Sequence, residues 1–272
     1  MTNEWLRRTS RPVKHPHIDT TAPNVARVWN YLIGGRDNFE ADRRAAEQLV
    51  AAAPVMADVA PASRAFLRRV VRYLAAEAGI RQFLDIGTGI PTAGNTHEIA
   101  QSVDPTCRVV YVDNDPVVLA HARALLRSRP EGVTSYIDAD AREPGKIIAS
   151  AQETLDFDQP VAIVMIHILN YIEGPAEVAA IVGTLTAALP SGGHLAIMHP
   201  AADRRLVAVQ QRWNQLAPIP LWLRDRAEVA SWLTGLELAE PGIVELDKWR
   251  PAGSDPVYPN GMPIYGVVAR KP

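Results

Sequence analysis

The sequence predicts an α/β fold: a seven-stranded, mostly parallel sheet with an antiparallel last strand, helices on both faces and a helical cap at the amino terminus. Three observations carry this. From residue 82 the short apolar runs QFLDI, RVVYVD, VTSYID, VAIVMI and GHLAIM alternate with segments long enough for crossover helices, a rhythm that specifies a parallel sheet covered on both faces. The rhythm then breaks: GIVELDKW and PIYGVVAR are separated only by a proline- and glycine-rich loop, which favours an antiparallel pair. Three helical patterns precede the first strand.

In chain order, residues 1–20 are polar and proline-broken and read as a mobile arm. His15 and His17 flank Pro16 there, with no cysteine or further histidine nearby to complete a metal site, so they read as solvated side chains. Residues 21–60 form the cap. Thr21 can cap a helix in which Val25, Val28, Trp29 and Leu32 share a face and which Gly34 and Gly35 end. A second helix is expected over 40–53. A third, opened by Pro61, places Leu67, Val70, Val71 and Leu74 on one face until Gly79. Residues 61–272 then make the sheet domain, with two more helical stretches at 203–216 and 225–235.

Composition narrows the function. A chain of 272 residues that is 47% apolar can bury a full core, and a net charge of −2 offers no positive field for capturing a nucleic-acid backbone. The single cysteine, Cys107, precedes an apolar strand and reads as a small buried hydrophobe in a reducing compartment. The start lacks the apolar core of a signal peptide, and the longest apolar run, VAIVMIHIL, is too short to span a bilayer. The expectation is a soluble, cytoplasmic protein with no membrane or nucleic-acid partner.

The stretch FLDIGTGIPTAGNTHE, residues 83–98, carries the chemistry. In an open parallel sheet, ligands bind beyond the carboxyl ends of the strands where the winding reverses, and the first strand-to-helix turn lies there. Gly87 and Gly89 let a ligand touch backbone. A dinucleotide fingerprint needs a third glycine where Thr92 stands, and Pro91 removes an N–H that could grip phosphate. Asp85, directly before the glycines, suits a ligand with an ammonium group, or else braces the loop by accepting its N–H groups. Asp113 ends the second run, where an acid can accept from both hydroxyls of a ribose, and Asn114 follows where adenine can rest. Asp140 ends the third region as an acceptor for the exocyclic adenine amine, beside the Ala141 N–H. A single acid after a strand is commonly a turn residue or helix cap; three at successive strand ends, the first fused to GxG, form a pattern.

With LDIGTG, Asp113, DAD at 138–140 and LPSGGHLAI before the fifth strand, the chain resembles the Rossmann-like class I S-adenosylmethionine-dependent methyltransferases. More closely, ARVWNYLIGGRDNFEADRRAAEQL, FLDIGTGIPTAGNTHEIA and IHILNYI are similar to a bacterial methyltransferase family of undefined substrate, a likeness that runs from about residue 15. The resemblance implies that Gly87, Thr88 and Gly89 line the methionine and ribose portion of S-adenosylmethionine, Asp113 binds the ribose, and Asp140 with Ala141 holds adenine, S-adenosylhomocysteine being the product. NYLIGGRDNF would cover the cofactor, with Arg36 pairing with the methionine carboxylate and Tyr31 contacting the sulfonium end. For Arg36 the alternative is a surface cation beside Asp37.

Methyl transfer from a sulfonium rests mainly on positioning the acceptor, so a general base is optional. The candidates are His167, in IHILNY beside Asn170 and Tyr171, and His199, before Pro200; for His167 the alternative is packing against the cofactor or a backbone bond. HILNY lacks the Asp- or Asn-Pro-Pro-aromatic run of enzymes that methylate amines on nucleic-acid bases, and no acids cluster with Asn170 to hold a metal. A small-molecule O- or N-acceptor remains. The tryptophans at 213, 222, 232 and 249 can wall an aromatic pocket or fill the core. Two other readings stand: a non-catalytic S-adenosylmethionine-binding regulatory module, and a nicotinamide-dependent oxidoreductase, for which the glycine spacing is wrong. The helical amino terminus can fold over its own site or contact a second subunit in a homodimer.

Overall fold

The computed structural model describes residues 18–125, 128–253 and 255–272. Most of the arm, with His15 and His17, lies outside the described residues. The chain opens with α1 (Val25–Leu32), α2 (Glu40–Ala52) and α3 (Met56–Ala76). Asn24 rather than Thr21 caps α1, accepting from Arg27 N, because Thr21 is turned back onto Asp19. A buried ion pair joins the first two helices: Arg27 Nε meets Asp42 Oδ2 at 2.8 Å, and the same carboxylate accepts from the backbone N–H groups of Asn24 and Phe39. One acid thus satisfies donors at the start of both helices. The third helix opens at Met56, so Pro61 sits inside it, and the expected boundary between residues 60 and 61 falls within continuous helix. Gly79, at φ +71°, ends this region and lets Ile80 N–H reach the Leu74 carbonyl at 2.8 Å.

Then β1 (Gln82–Ile86), β2 (Arg108–Asp113), β3 (Val133–Asp138), β4 (Val161–Ile166) and β5 (His194–Pro200) alternate with α4 (Thr96–Val103), α5 (Pro116–Leu125), α6 (Pro144–Ala151) and α7 (Pro175–Ala188). After α8 (Arg204–Leu216) and α9 (Arg226–Ser231) come β6 (Glu237–Leu238), β7 (Val244–Glu245) and β8 (Ile264–Arg270). The sheet order is β3-β2-β1-β4-β5-β8, with β8 antiparallel to β5, and β6 and β7 share the outer edge of β8. Among the described residues, eight strands therefore fill seven positions. GIVELDKW pairs only at Val244 and Glu245, because Leu246–Lys248 tightens into a 3-10 turn.

The strands alternate strictly between the two faces. Phe83, Val109, Ala162, Ala196 and Val268 face a core shared with α2, α3, α4 and α8, while Leu84, Val110, Ile163, Leu195 and Val267 face α6, α7 and α9. On the α3 face the floor is small at Ala162, Ala196 and Gly266, and Phe66 of α3 lies on Gly266 so closely that a Cβ there would fall 2.4 Å from Phe66 Cε2. That close approach positions α3 over the sheet. Gly266→Ala is expected to destabilise the fold by about 1–3 kcal/mol. Phe66→Leu, which removes the clashing ring atoms, should recover part of that loss when combined with it, as read by the denaturant midpoint; additive losses would show that the contact is not the cause.

Candidate active site at the carboxyl ends of β1, β2 and β4

The chain winds from β1 outward through β2 to β3 and returns to β4 on the other side of β1, so the winding reverses between β1 and β4. A cleft of about 210 Å³ opens there, as the reversal requires. It is lined by residues following β1, β2, β3 and β4 and roofed by α1 and α3. Gly87 and Gly89 lie at φ +79° and +68°, the left-handed region that favours glycine. Their duties differ. A Cβ on Gly87 would lie 2.8 Å from Ile168 Cβ, whereas one on Gly89 would meet nothing within 4 Å. Gly87 permits packing under Ile168, and Gly89 turns the loop so that backbone is bared to the cleft. Thr88 also lines the cleft, with its hydroxyl on the Asp85 carbonyl at 3.2 Å.

The three strand-end acids converge. Asp113 Oδ2 accepts the Gly89 N–H at 2.9 Å, and its Oδ1 accepts the Asp115 N–H at 2.9 Å. Burial raises its pKa to about 6 against these donors. Asp85 is 6% exposed and takes the Thr96 hydroxyl at 2.5 Å. Burial also pushes its pKa up to about 6, with Thr96 and the Arg64 charge opposing. The loop N–H groups go elsewhere: those of Gly87 and Thr88 reach the Val112 carbonyl. Asp85 therefore braces the start of α4 through Thr96 and not the glycine loop. Asp140 accepts from Asn114 Nδ2 at 3.0 Å and from Arg142 N at 2.8 Å, and both partners line the cleft beside Ala141. Among the described residues, the charged groups lining the cleft are Asp85, Asp113, Asp115 and Asp140 against Arg64 and Arg142. Such a cleft favours cationic groups over a pyrophosphate.

Tyr31 and Arg36 do not reach the cleft. On α1 the face that carries Trp29 lies about 200° from Tyr31, at roughly 100° per residue, and the Tyr31 hydroxyl bonds Glu47 Oε1 at 3.0 Å. Arg36 is exposed because the turn around it is held from inside by Asn30, whose Oδ1 accepts from Asp37 N and Asn38 Nδ2 at 2.9 Å each. From NYLIGGRDNF it is Asn30 and Ile33 that line the cleft. The interior cation is Arg64, whose Nη2 donates to the carbonyls of Ala93 and Gly94 at 3.0 and 2.7 Å. It shares a helix face with Ala60, Ser63 and Leu67, all lining the cleft at helical spacing. Projecting the Leu67 face of α3 backward by one turn would have found both Ser63 and Arg64.

The two histidines diverge. His167 lines the cleft at φ 55°, stacked on Trp29 with ring centroids 4.4 Å apart. Ser63 Oγ donates to the Val59 carbonyl at 2.6 Å, so at 3.2 Å it accepts from His167, which assigns the proton to Nε2 and leaves Nδ1 as the acceptor. Burial and the neighbouring His199 hold His167 at about 3, with the Asn170 side chain opposing. His199 does not line the cleft: it is fully buried, with Nδ1 donating to the Pro200 carbonyl at 2.9 Å and Nε2 accepting from Arg224 Nη1 at 3.1 Å. Its lone pair is spent on a guanidinium, so it has no role as a base toward a ligand; burial keeps it at about 3. Arg224 also binds the carbonyls of Leu169, Ile172 and Glu173 and thereby clamps the loop after β4. Of the described tryptophans, Trp213, Trp232 and Trp249 are buried in the core, and Trp29 lines the cleft. In ¹⁵N spectra both rings should stay neutral down to pH 5, His167 as the Nε2–H tautomer and His199 as Nδ1–H; an imidazolium signal from either at pH 6 would contradict this network.

Comparison with known proteins places the chain in a family. A protein of the DUF574 family from Streptomyces avermitilis MA-4680 is 42% identical, covers 94% of this chain and 100% of its own, and superposes with a TM-score of 0.90. A proposed methyltransferase of Thermobifida fusca YX is 37% identical over 97% of this chain and 99% of its own, with a TM-score of 0.85. Magnesium protoporphyrin IX methyltransferase of Synechocystis PCC 6803, solved with bound S-adenosylhomocysteine, is 13% identical over 90% of this chain and 93% of its own; its TM-score of 0.56 marks a shared fold. No curated protein matches the chain. The family model described as S-adenosyl methyltransferase matches residues 11–272, and the chain belongs to that S-adenosylmethionine-dependent methyltransferase family.

Proposed function

We propose that the cleft binds S-adenosylmethionine through its strand-end acids and that the protein methylates a small-molecule O- or N-acceptor. The observation that carries this is an acidic, phosphate-unfriendly cleft with backbone bared at Gly89 and Asp113 beside it. The residues fit the cofactor part by part. Asp113 accepts the backbone N–H groups of Gly89 and Asp115 on separate oxygens, with the Asn114 N–H also drawn to it, and the carboxylate keeps lone-pair capacity for ribose hydroxyls. Asp140 is held by Asn114 and Arg142 at the rim where adenine would lie. Arg64 takes the place expected of Arg36, with an inward guanidinium for the methionine carboxylate.

The bound cofactor supplies an electrophilic methyl on a sulfonium. An acceptor heteroatom that took this methyl, with the carbon–sulfur pair left on sulfur, would have to shed its proton. His167 Nδ1 is a weak base at about 3, suited to a proton made acidic by that transfer and not to deprotonating a resting phenol or amine. Its neutrality also keeps a second positive charge away from a sulfonium.

Two measurements test the cofactor assignment. Arg64→Gln should weaken S-adenosylhomocysteine at least tenfold in calorimetry while leaving 5′-methylthioadenosine, which lacks the carboxylate, within twofold; equal losses for both would contradict the role of Arg64. Asp113 has its pKa raised from 3.8 to about 6, so its contribution to stability is full below 3.8 and lost as pH rises through about 6. Asp113→Asn should therefore raise Tm at pH 8 and not at pH 4, while wild-type affinity for S-adenosylhomocysteine falls as pH drops below about 6. A wild-type affinity that is flat from pH 8 to 5 would contradict it.

A further inference from the structure

We propose that a second, apolar chamber behind the cleft is the acceptor site and takes an uncharged, predominantly apolar ring compound that presents one N–H or O–H donor. This rests on the reading of the cleft as the cofactor site. Trp29, His167 and Tyr171 line both spaces and so form the partition between them. The far walls are Leu49, Met56, Leu206, Val209 and Trp213, drawn from α2, α3 and α8. Among the described residues no Asp, Glu, Lys or Arg lines the chamber. A charged occupant would lose its hydration there without a counter-charge, which selects for neutral molecules.

One polar group in that lining points to a ligand. Asn170 is 1% exposed and lines the chamber; its side chain lies against His167 and Tyr171, yet its buried Oδ1 makes no hydrogen bond of ordinary geometry. An orphaned buried acceptor is costly, and a donor on the occupant removes that cost. The backbone of Asn170 is already engaged, its carbonyl accepting from Trp222 N at 2.8 Å, so the side chain is presented from a fixed position. An apolar body with one donor group satisfies both the walls and Asn170.

The partition is built to yield. The chamber holds about 40 Å³ of free space against about 210 Å³ in the cleft, so a ring has to draw room from the cleft side. Trp29 is the side chain that can give it: it is only partly buried at the edge of the core, its Nε1 reaches the Tyr171 hydroxyl at only 3.4 Å, a weak bond, and its ring stacks at a tilt on His167. His167 itself sits at φ 55°, a conformation that a non-glycine residue adopts at a cost and that recurs at ligand sites. Turning Trp29 both enlarges the chamber and connects the acceptor atom to the cleft.

The test is ¹⁹F NMR of the full chain with 4-fluorophenol, fluorobenzene and 4-fluorobenzoate, with and without saturating S-adenosylhomocysteine. Wild type should bind 4-fluorophenol more tightly than fluorobenzene and leave 4-fluorobenzoate free. Asn170→Leu should reduce 4-fluorophenol affinity at least fivefold, to that of fluorobenzene, and Val209→Phe should abolish both, with S-adenosylhomocysteine affinity within twofold throughout as the check on folding. The proposal is overturned if wild type binds no 4-fluorophenol, if the benzoate binds equally well, or if Asn170→Leu leaves the phenol unaffected. Failure of wild type to bind S-adenosylhomocysteine would instead strike the cleft reading, and the probe arms without it would still decide the chamber.

Discussion

The cleft depends on one carboxylate. Asp113, at the end of β2, takes the N–H of Gly89 from the loop after β1 and the N–H of Asp115 from its own turn. It thereby ties two adjacent strand ends into one rim. Holding that group ionised in a largely buried place is unfavourable, as its pKa of about 6 records. The backbone N–H groups that Asp113 accepts offset part of that cost. Asp85 repeats the pattern one strand over, where Thr96 and Arg64 partly offset its burial.

What holds the other wall is α3. Its 21 residues run across the sheet, and successive turns do different work. Ser63 and Arg64 face the cleft, Phe66 lies on the small floor at Gly266, and Arg69 reaches the carbonyls of Trp249 and Leu246 and the carboxylate of Asp255. The helix therefore links the cleft roof to the carboxyl-terminal segment. Opposite it, Arg224 gathers the loop after β4 through three carbonyls and fixes Asn170 and Tyr171 in place.

Much of this was legible in the sequence, for definable reasons. Strand identity came from apolar runs whose alternation the sheet keeps, and the strand-end acids were visible because sheet topology puts them at one edge whatever else surrounds them. The cap was harder. Tyr31 and Arg36 have the chemistry a cofactor asks for within their motif, yet α1 turns Tyr31 toward Glu47, and Asn30 turns the Arg36 loop outward. His199 ends a strand on the ligand side, but its environment is set by Arg224, 25 residues away in sequence, which no local pattern reveals. Arg64 and Trp29 were recoverable from helical projection alone. The edge pieces β6 and β7 were blurred because two-residue strands carry no periodicity.

The central claim is that Asp113 makes this cleft an S-adenosylmethionine site. Calorimetric titration of wild type and Asp113→Ala with S-adenosylmethionine and with NADH tests it most directly. The expected result is binding of S-adenosylmethionine but not NADH, with the substitution costing about 1–3 kcal/mol through the lost charged acceptor. Binding of NADH in its place, or an Asp113→Ala protein that binds S-adenosylmethionine as wild type does, would contradict it.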